Sequence, residues 1–227
     1  MIFMRSMIHL NLRTWRVWDR RKTGREAGSS CLRLPEVDLA ATLGQQIPRY
    51  IGLLKDPDPN IYFTAVRKLD RIWDSEDETA DKDERQMIME GFEKALDDKD
   101  PEMRRRVVSA LGVVKSIGRM DSHGKKTGLA DYAVTWAGHR LHNDKNAKVR
   151  CAAAWALGNL GDMNLEAEPL LIKALNNDKE EEEVRRSAAN SLKKLGTEGL
   201  GIMDRLKIRH LTGRLTSAER WLVGLVV

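Results

Sequence analysis

Histidine and acidic side chains are the residues of this chain whose spacing could support chemistry. His139 and His142 lie one helical turn apart, a spacing from which two imidazoles can share a metal ion. A zinc site needs at least one or two further ligands, and the sequence places none beside them. The acidic run 74–81 suggests a calcium loop, but its sixth position is Thr79 where glycine is needed and its twelfth is Arg85 where glutamate is needed. We therefore predict no metal site.

Motifs of nucleophilic or phosphate chemistry are missing from the sequence. It contains no glycine-rich phosphate loop and no Gly-x-Ser-x-Gly turn. Its two cysteines, Cys31 and Cys151, are far apart, and neither belongs to a Cys-x-x-Cys motif. We therefore predict no catalytic residue and no cofactor, and we expect a reduced, cytoplasmic chain.

The positive charge of the chain is concentrated at its beginning. Residues 1–33 contain eight basic and two acidic side chains, whereas the whole chain has a formal charge of +5. The remaining residues, 34–227, therefore carry a net charge of −1, which gives no general support for nucleic-acid binding. We interpret residues 1–33 as a basic extension that is disordered or loosely helical, with a basic amphipathic anchor or a transit-type peptide as alternatives. No apolar run is long enough to span a bilayer.

A helical pattern occurs four times in the sequence, and the helices that it predicts would position any functional side chain. The copies begin at Ile61, Met103, Val149 and Val184. Apolar residues recur in each copy at offsets 4, 8 and 11, which lie on one face of an α-helix. The residues at offset 4 are Ala65, Val107, Ala153 and Ala188, those at offset 8 are Leu69, Leu111, Leu157 and Leu192, and those at offset 11 are Ile72, Val114, Leu160 and Leu195. Repetition at such spacings indicates a solenoid.

Each copy follows another apolar helical segment and a turn rich in Asp and Asn, so the repeating unit is a helical hairpin. The first helices are predicted at Ala41–Lys55, Glu84–Leu96, Gly128–Leu141 and Glu166–Leu175, and closing helices at Ile202–Leu211 and Ser217–Val227. We therefore predict an all-α fold over residues 34–227. It would be a right-handed α-α superhelix of about four helical hairpins plus closing helices.

The segment Val149-Arg150-Cys151-Ala152-Ala153-Ala154-Trp155-Ala156-Leu157-Gly158-Asn159-Leu160-Gly161-Asp162 carries a family resemblance. Together with the other copies it resembles HEAT repeats, part of the armadillo-like helical proteins, and most of all the HEAT-like repeats named after phycobilisome (bilin) lyases. The resemblance covers about residues 40–200.

The resemblance implies a structural ladder in which turn carboxylates pair with helix arginines of adjacent repeats. The candidates are Asp98, Asp144 and Asp178 with Arg104, Arg150 and Arg185. An anion-binding row of arginines is the alternative. The resemblance also includes iron-dependent hydroxylases, which bind the metal through His-Glu pairs, and this sequence has no such pair.

Solenoids usually bind partners on the concave face, which the second helices are expected to line. The candidate partner-binding residues there are Phe63, Arg67, Arg105, Trp155, Arg186, Asn190 and Lys193. Aromatic and arginine side chains favour protein interfaces, so we expect a non-enzymatic scaffold that binds a protein partner and is itself a monomer. The alternatives are a bilin-lyase-like or other enzymatic role, and nucleic-acid binding through residues 1–33.

Overall fold

The computed structural model describes residues 42–74, 82–115, 128–161, 166–196 and 198–213, and in these ranges the chain forms helices and turns without strands. The predicted all-α solenoid is confirmed. None of the described helices is long and apolar enough to cross a membrane. The helices are α1 (Leu43–Leu53), α2 (Pro59–Trp73), α3 (Lys82–Leu96), α4 (Pro101–Leu111), α5 (Leu129–Asn143), α6 (Ala147–Leu160), α7 (Ala167–Leu175), α8 (Glu182–Leu195) and α9 (Ile202–Leu211).

The helices pack as pairs: α1 with α2, α3 with α4, α5 with α6, and α7 with α8. The second helices of successive pairs, α2, α4, α6 and α8, also pack side by side in that order, and α9 covers α7 and α8. Most of the predicted apolar stripe lies in this core, but Ile72 and Leu195 at offset 11 are only half-buried. All eight residues at offsets 4 and 8 are at most 1% exposed. Burial of one stripe per helix against two neighbours accounts for the stacking.

The second helices begin at a repeated turn in which Asp and Asn side chains replace missing backbone partners. Asp58, Asp100 and Asn146 each accept a hydrogen bond at 2.8–2.9 Å from the backbone N–H two residues on, which caps the helix. Two residues before these caps, Asp56, Asp98 and Asp144 fold the turn by accepting the N–H of the cap at 2.8–2.9 Å. These three turns therefore share one geometry, so α2, α4 and α6 start in register.

Two glycines allow adjacent second helices to approach closely. A Cβ atom on Gly112, directly after α4, would lie 3.0 Å from the Cα of Ala156 in α6. A Cβ atom on Gly158 in α6 would lie 2.6 Å from the Cβ of Ser191 in α8. Two hydroxyls seal the second contact, because Ser191 and Ser187 donate to the backbone oxygens of Ala154 and Cys151 in α6 at 2.8 and 3.0 Å. The offset between α6 and α8 is thereby fixed.

Aromatic rings connect the first and second pairs to the third. The ring centroids of Trp73 in α2 and Tyr132 in α5 are 5.6 Å apart, and those of Tyr132 and Trp136 are 5.8 Å apart. Phe92 of α3 continues the series to Trp136 at 5.7 Å. Aromatic contacts at these distances stabilise beyond their area burial, so they help to hold α5 against α2 and α3.

Some predicted details need correction, and others lie outside the described residues. Helix α3 begins at Lys82, two residues before its predicted start. Of the two glycines that follow α6 and α8, Gly196 has a positive φ of 111°, which favours glycine, whereas Gly161 has a φ of −64°. Gly161 instead leaves space for Leu195, whose side chain would lie 2.6 Å from an added Cβ. Residues 1–33 and the closing helix predicted at 217–227 lie outside the described residues.

Candidate functional site

Arg104 connects the second pair of helices to the third. Its Nε and Nη2 atoms donate to Asp144 Oδ2 and Oδ1 at 2.8 and 2.9 Å, so the ion pair is bidentate. The third nitrogen, Nη1, donates to the backbone oxygen of Asp98 at 2.8 Å. The Asp144 side chain is 0% exposed and that of Arg104 is 13% exposed. The planar guanidinium therefore holds the turn of its own pair and the turn of the next pair at once.

Arg150 makes the same set of contacts one repeat later, but with a different carboxylate. Its Nη1 donates to the backbone oxygen of Asp144 at 2.8 Å, and its Nε and Nη2 donate to Glu180 Oε1 at 3.0 and 2.8 Å. We expected Asp178 in this position; it is exposed. The turn before α8 is longer than its counterparts, because Asn177 folds it by accepting from Lys179 while the helix starts only at residue 182. The extra length places Glu180 at Arg150.

At both ends of the predicted ladder, the expected pair of carboxylate and arginine is missing. Asp98 precedes α4, and the residue of α2 that corresponds to Arg104 is Tyr62, so no arginine of that series faces the Asp98 carboxylate. At the other end, the Nε atom of Arg185 is buried and has no hydrogen-bond partner among the described residues. The ladder that the structure shows therefore joins three pairs of helices through two arginines.

The environment of Asp144 favours its charged form. Burial by itself would raise the pKa of this carboxyl, but the hydrogen bonds from Arg104 and from the Asn146 backbone N–H lower it, and the result is a pKa below the ordinary value of 3.8. The pKa of Arg104 is raised by the same ion pair. Both directions describe a pair that stays ionised at neutral pH, which is the behaviour of a structural contact.

His142 at the end of α5 lies close to this ladder and should make folding stability depend on pH. Burial lowers the pKa of its imidazole from the ordinary 6.5, nearby Lys173 lowers it further, and Glu180 opposes them. The Nε2 atom is buried without a hydrogen-bond partner among the described residues. Because the folded protein resists protonation here, the unfolded chain takes up the proton first, and stability falls as pH drops below 6.5.

We expect His142→Met to weaken this pH dependence. Urea unfolding at about pH 7.5 and about pH 5.5 measures it, since that interval includes the ordinary titration of histidine. The substitution of the exposed His139 on the same helix, His139→Met, is the matched control. Equal pH dependence in the parent and in His142→Met would contradict the assignment.

The predicted binding residues lie along the second helices in two rows. Arg67, Trp155 and Asn190 occupy the same repeat position in α2, α6 and α8, and all three are exposed. Phe63, Arg105 and Arg186 occupy another shared position, and of these only Arg186 is exposed. Their exposure and periodic placement are compatible with the proposed surface. We name these six residues, with Lys193, Asn159 and Lys194, the second-helix surface.

Several of these predicted residues have partners within the chain, and the contacts of Phe63, Arg105 and Arg186 are well defined. The Phe63 ring stacks at a tilt on Tyr62, with centroids 4.7 Å apart. Arg105 forms a bidentate pair with Glu102 at 2.5 and 2.9 Å, one helical turn before it. Arg186 Nη2 donates a single hydrogen bond to Glu182 Oε1 at 2.5 Å, four residues before it. These contacts reduce the charge and the apolar area that the three residues offer to a partner.

Trp155 is the largest side chain exposed on this surface. Its side chain is 46% exposed although α6 is otherwise closely packed. The indole lies over Gly112, where an added Cβ would approach its Cζ3 atom to 3.0 Å. The glycine thus forms a flat seat, and the ring is supported on one side while its remaining surface faces solvent. An aromatic side chain held in this way loses little entropy on binding.

Asn159 and Lys194 extend the environment of Trp155, and the sequence did not single them out. The Asn159 side chain donates to the Trp155 backbone oxygen at 3.1 Å and accepts from Lys194 Nζ at 2.6 Å. A lysine ammonium of α8 is therefore held one helical turn from the indole on α6. A sequence signal existed, because both residues stand at offset 10 of their copies. The contact between those copies became visible only in the structure.

The described residues do not supply the group of ligands that a metal ion needs. No group of three or more His, Cys, Asp or Glu side chains there could hold a metal ion. His139 is exposed and His142 is turned toward the ladder. The side chains that lie together beside Trp155 are instead the amide of Asn159 and the ammonium group of Lys194.

Comparison with known proteins supports the repeat type. Residues 134–224 match the HEAT repeats family. No curated protein matches the sequence. Among solved structures, a designed armadillo repeat protein in complex with a (KR)4 peptide shares 18% identity at a TM-score of 0.35, with 78% of this chain and 85% of that chain covered.

Two further structures are similar at the same level. Human deoxyhypusine hydroxylase in complex with glycerol shares 16% identity at a TM-score of 0.37, over 75% of this chain and 74% of that chain. A second designed armadillo repeat protein shares 17% identity at a TM-score of 0.34, over 76% and 84%. Residues 134–224 therefore resemble HEAT repeats, and the described part of the chain is an all-α array of paired helices.

Proposed function

We propose that this protein is a non-enzymatic interaction module that binds a protein partner on the second-helix surface. The observation that carries the proposal is Trp155, a tryptophan 46% exposed on a rigid helix and seated on Gly112. Isolated exposed apolar residues are common on protein surfaces. The Asn159 side chain is hydrogen-bonded to the backbone of this one, and Asn190 is exposed at the same repeat position of α8, so polar groups are available for an interface rim.

The chemistry of this surface favours binding over catalysis. Tryptophan and arginine are the residues that most often dominate the binding energy of protein interfaces. The surface presents both, and they stand on helices whose offset is set by the Gly158–Ser191 contact. A partner therefore meets a preorganised array and loses little free energy in ordering it.

Trp155→Ala should weaken partner binding by about 2 kcal/mol, or roughly thirtyfold in Kd, because a central tryptophan loses its whole contact area on truncation. The measurement is capture by the tagged full chain from a lysate, with identification by mass spectrometry, followed by the Kd of the purified partner. Thr135→Ala, an exposed change on α5, is the control. Undiminished affinity in Trp155→Ala would contradict this placement of the interface.

Nucleic acid is the competing partner, because residues 1–33 carry a net charge of +6. Capture with and without nuclease separates the two possibilities, as does deletion of residues 1–33. Binding through phosphate contacts should fall steeply with salt and disappear with the deletion. Loss of every partner after nuclease treatment would therefore reject protein binding and favour nucleic-acid binding instead.

Finer assignments stay predictions at this stage. The Val-Arg, Ala-Leu-Gly and Leu-Gly-Asp residues of the third copy support repeats of the phycobilisome-lyase type. A cytoplasmic location, a monomeric state and the absence of catalytic activity also stay predictions. Visible absorbance of the purified protein tests the lyase-like alternative, because a bound bilin chromophore would absorb there.

A further inference from the structure

Positive charge in the described helices is concentrated on the second helix of each pair and on α9, which also has a formal charge of +2. The helices α2, α4, α6 and α8 each have a formal charge of +2, from three basic and one acidic residue in α2 and in α4, two basic residues in α6, and four basic and two acidic residues in α8. The first helices α1, α3, α5 and α7 together sum to zero. Without the three arginines predicted for the ladder, the second helices still have an excess of five positive charges.

The ammonium group of Lys194 is linked to Trp155 through the side chain of Asn159. It donates to Asn159 Oδ1 at 2.6 Å, and Asn159 in turn donates to the Trp155 backbone oxygen at 3.1 Å. No carboxylate of the described residues pairs with Lys194 or with the adjacent Lys193. An ammonium has three donors, so two of those on Lys194 remain available. An apolar face and an oriented cation thus lie next to each other.

We propose that the partner segment recognised here is acidic and apolar, with a carboxylate that binds Lys194 beside an apolar side chain that packs on Trp155. This inference rests on the proposed function and specifies the chemistry of the partner. Charge complementarity supports it, because an acidic segment placed along α6 and α8 meets Lys148 as well, two helical turns before the tryptophan. The Lys194 contact gains from its fixed position, since Asn159 has already restricted the side chain.

The distribution of carboxylates on the same surface favours a protein segment over nucleic acid. Glu182 and Glu183 are exposed in the first turn of α8, and Glu102 lies at the start of α4. A phosphate backbone carries negative charge at even, close intervals, so it would approach these carboxylates wherever it followed the helices. A peptide can instead place its acidic residues at Lys194 and neutral ones at Glu182.

Labelled synthetic peptides test the inference directly by fluorescence anisotropy with the full chain. The first peptide alternates glutamate and leucine, the second replaces glutamate by glutamine, and the third replaces leucine by serine. A single-stranded oligonucleotide of similar length is the fourth probe. We expect the glutamate–leucine peptide to bind, and both replacements to weaken it by about tenfold or more, since each removes one of the two contacts. Raising salt from about 50 to about 300 mM should weaken this binding through screening.

Variants of the protein complete the test. Lys194→Met and Trp155→Ala should each raise the Kd of the glutamate–leucine peptide by about tenfold. Lys94→Met, an exposed lysine on α3, is the matched control and should leave the Kd unchanged. Circular dichroism of each variant reports whether the fold is intact.

Three outcomes would overturn the inference. They are failure of the glutamate–leucine peptide to bind, equal binding of the glutamine–leucine peptide, and preference for the oligonucleotide with the same dependence on Lys194. If the natural partner still requires Trp155 while any of these occurs, the proposed function stands and only the acidic partner is rejected. If the natural partner is indifferent to Trp155, the proposed interface fails as well.

Discussion

Asp144→Ala should lower the free energy of unfolding by about 3–5 kcal/mol, the range measured when one partner of a buried ion pair is removed. The substitution leaves Arg104, only 13% exposed, without its bidentate carboxylate. It also removes the acceptor of the Asn146 backbone N–H at 2.9 Å, which folds the turn before α6. The loss of stability thus has two causes: the charge of Arg104 is left without a counter-ion, and the backbone N–H of Asn146 is left without an acceptor. Both groups lie where the second and third pairs of helices join.

Asp98→Ala is the matched control for this prediction. Asp98 folds the equivalent turn by accepting from the Asp100 backbone N–H at 2.9 Å, but no arginine corresponding to Arg104 faces it. Its removal should cost about 1 kcal/mol, the usual net worth of one hydrogen bond. Urea unfolding of both variants measures the difference, which isolates the ion pair. Equal losses would mean that Arg104 contributes nothing beyond the turn.

The lowered pKa of Asp144 gives the same prediction a pH signature. A carboxyl whose pKa is lower in the folded than in the unfolded protein stabilises fully above its unfolded pKa, near 3.9, and this stabilisation is lost as pH falls through the folded value. The parent should therefore lose stability in acid more steeply than Asp144→Ala does. Parallel acid titrations followed by circular dichroism would reveal the difference.

Leu157→Ala should lower the free energy of unfolding by about 3 kcal/mol, because truncation of a buried leucine removes apolar contacts and leaves a cavity. Leu157 is 0% exposed in the middle of α6, the helix that packs against α4, α5, α7 and α8. In a stacked array each repeat is stabilised by its neighbours. The variant should therefore weaken protection from hydrogen exchange in α4 and α8 as well as in α6.

Ile202→Ala is the control for the core prediction. It removes a side chain of similar size, but Ile202 is 70% exposed at the start of α9. The cost should stay within about 0.5 kcal/mol, as for other surface substitutions. A loss in Leu157→Ala no larger than in Ile202→Ala would show that α6 is not the centre of the stack.

The carboxylate that pairs with each arginine could be predicted only where the turns of successive repeats have the same length. Asp144 stands six residues before Arg150, as Asp98 does before Arg104. The resemblance to HEAT-like repeats indicated the ladder residues, and these two copies keep the same spacing. Asp178 fails as a partner because the turn before α8 has a different length, so Glu180 takes the position. A carboxylate is selected by its distance from the guanidinium, and sequence spacing represents that distance only when backbone geometry is conserved.

In the candidate site as well, one part could be predicted from the sequence and another part could not. Trp155 could be singled out because it is a large aromatic residue outside the apolar stripe. Its supporting neighbours Gly112 and Lys194 belong to other repeats, 43 residues before it and 39 after it. Their contacts with α6 depend on the offset between α4, α6 and α8, which close glycine contacts determine. Repeat spacing alone does not specify that offset, since a helix can slide along its neighbour without changing its own periodicity.

The sequence by itself determined that this chain is an all-α array of paired helices, which residues form its core, and where its turns lie. Those properties follow from local rules, because the period of apolar residues and the capping preferences of Asp and Asn act within one hairpin. Only the tertiary structure decided that Arg150 pairs with Glu180, that Trp155 rests on Gly112, and that Lys194 is held beside it. These contacts join residues of different repeats, and their geometry depends on packing between helices across the whole stack.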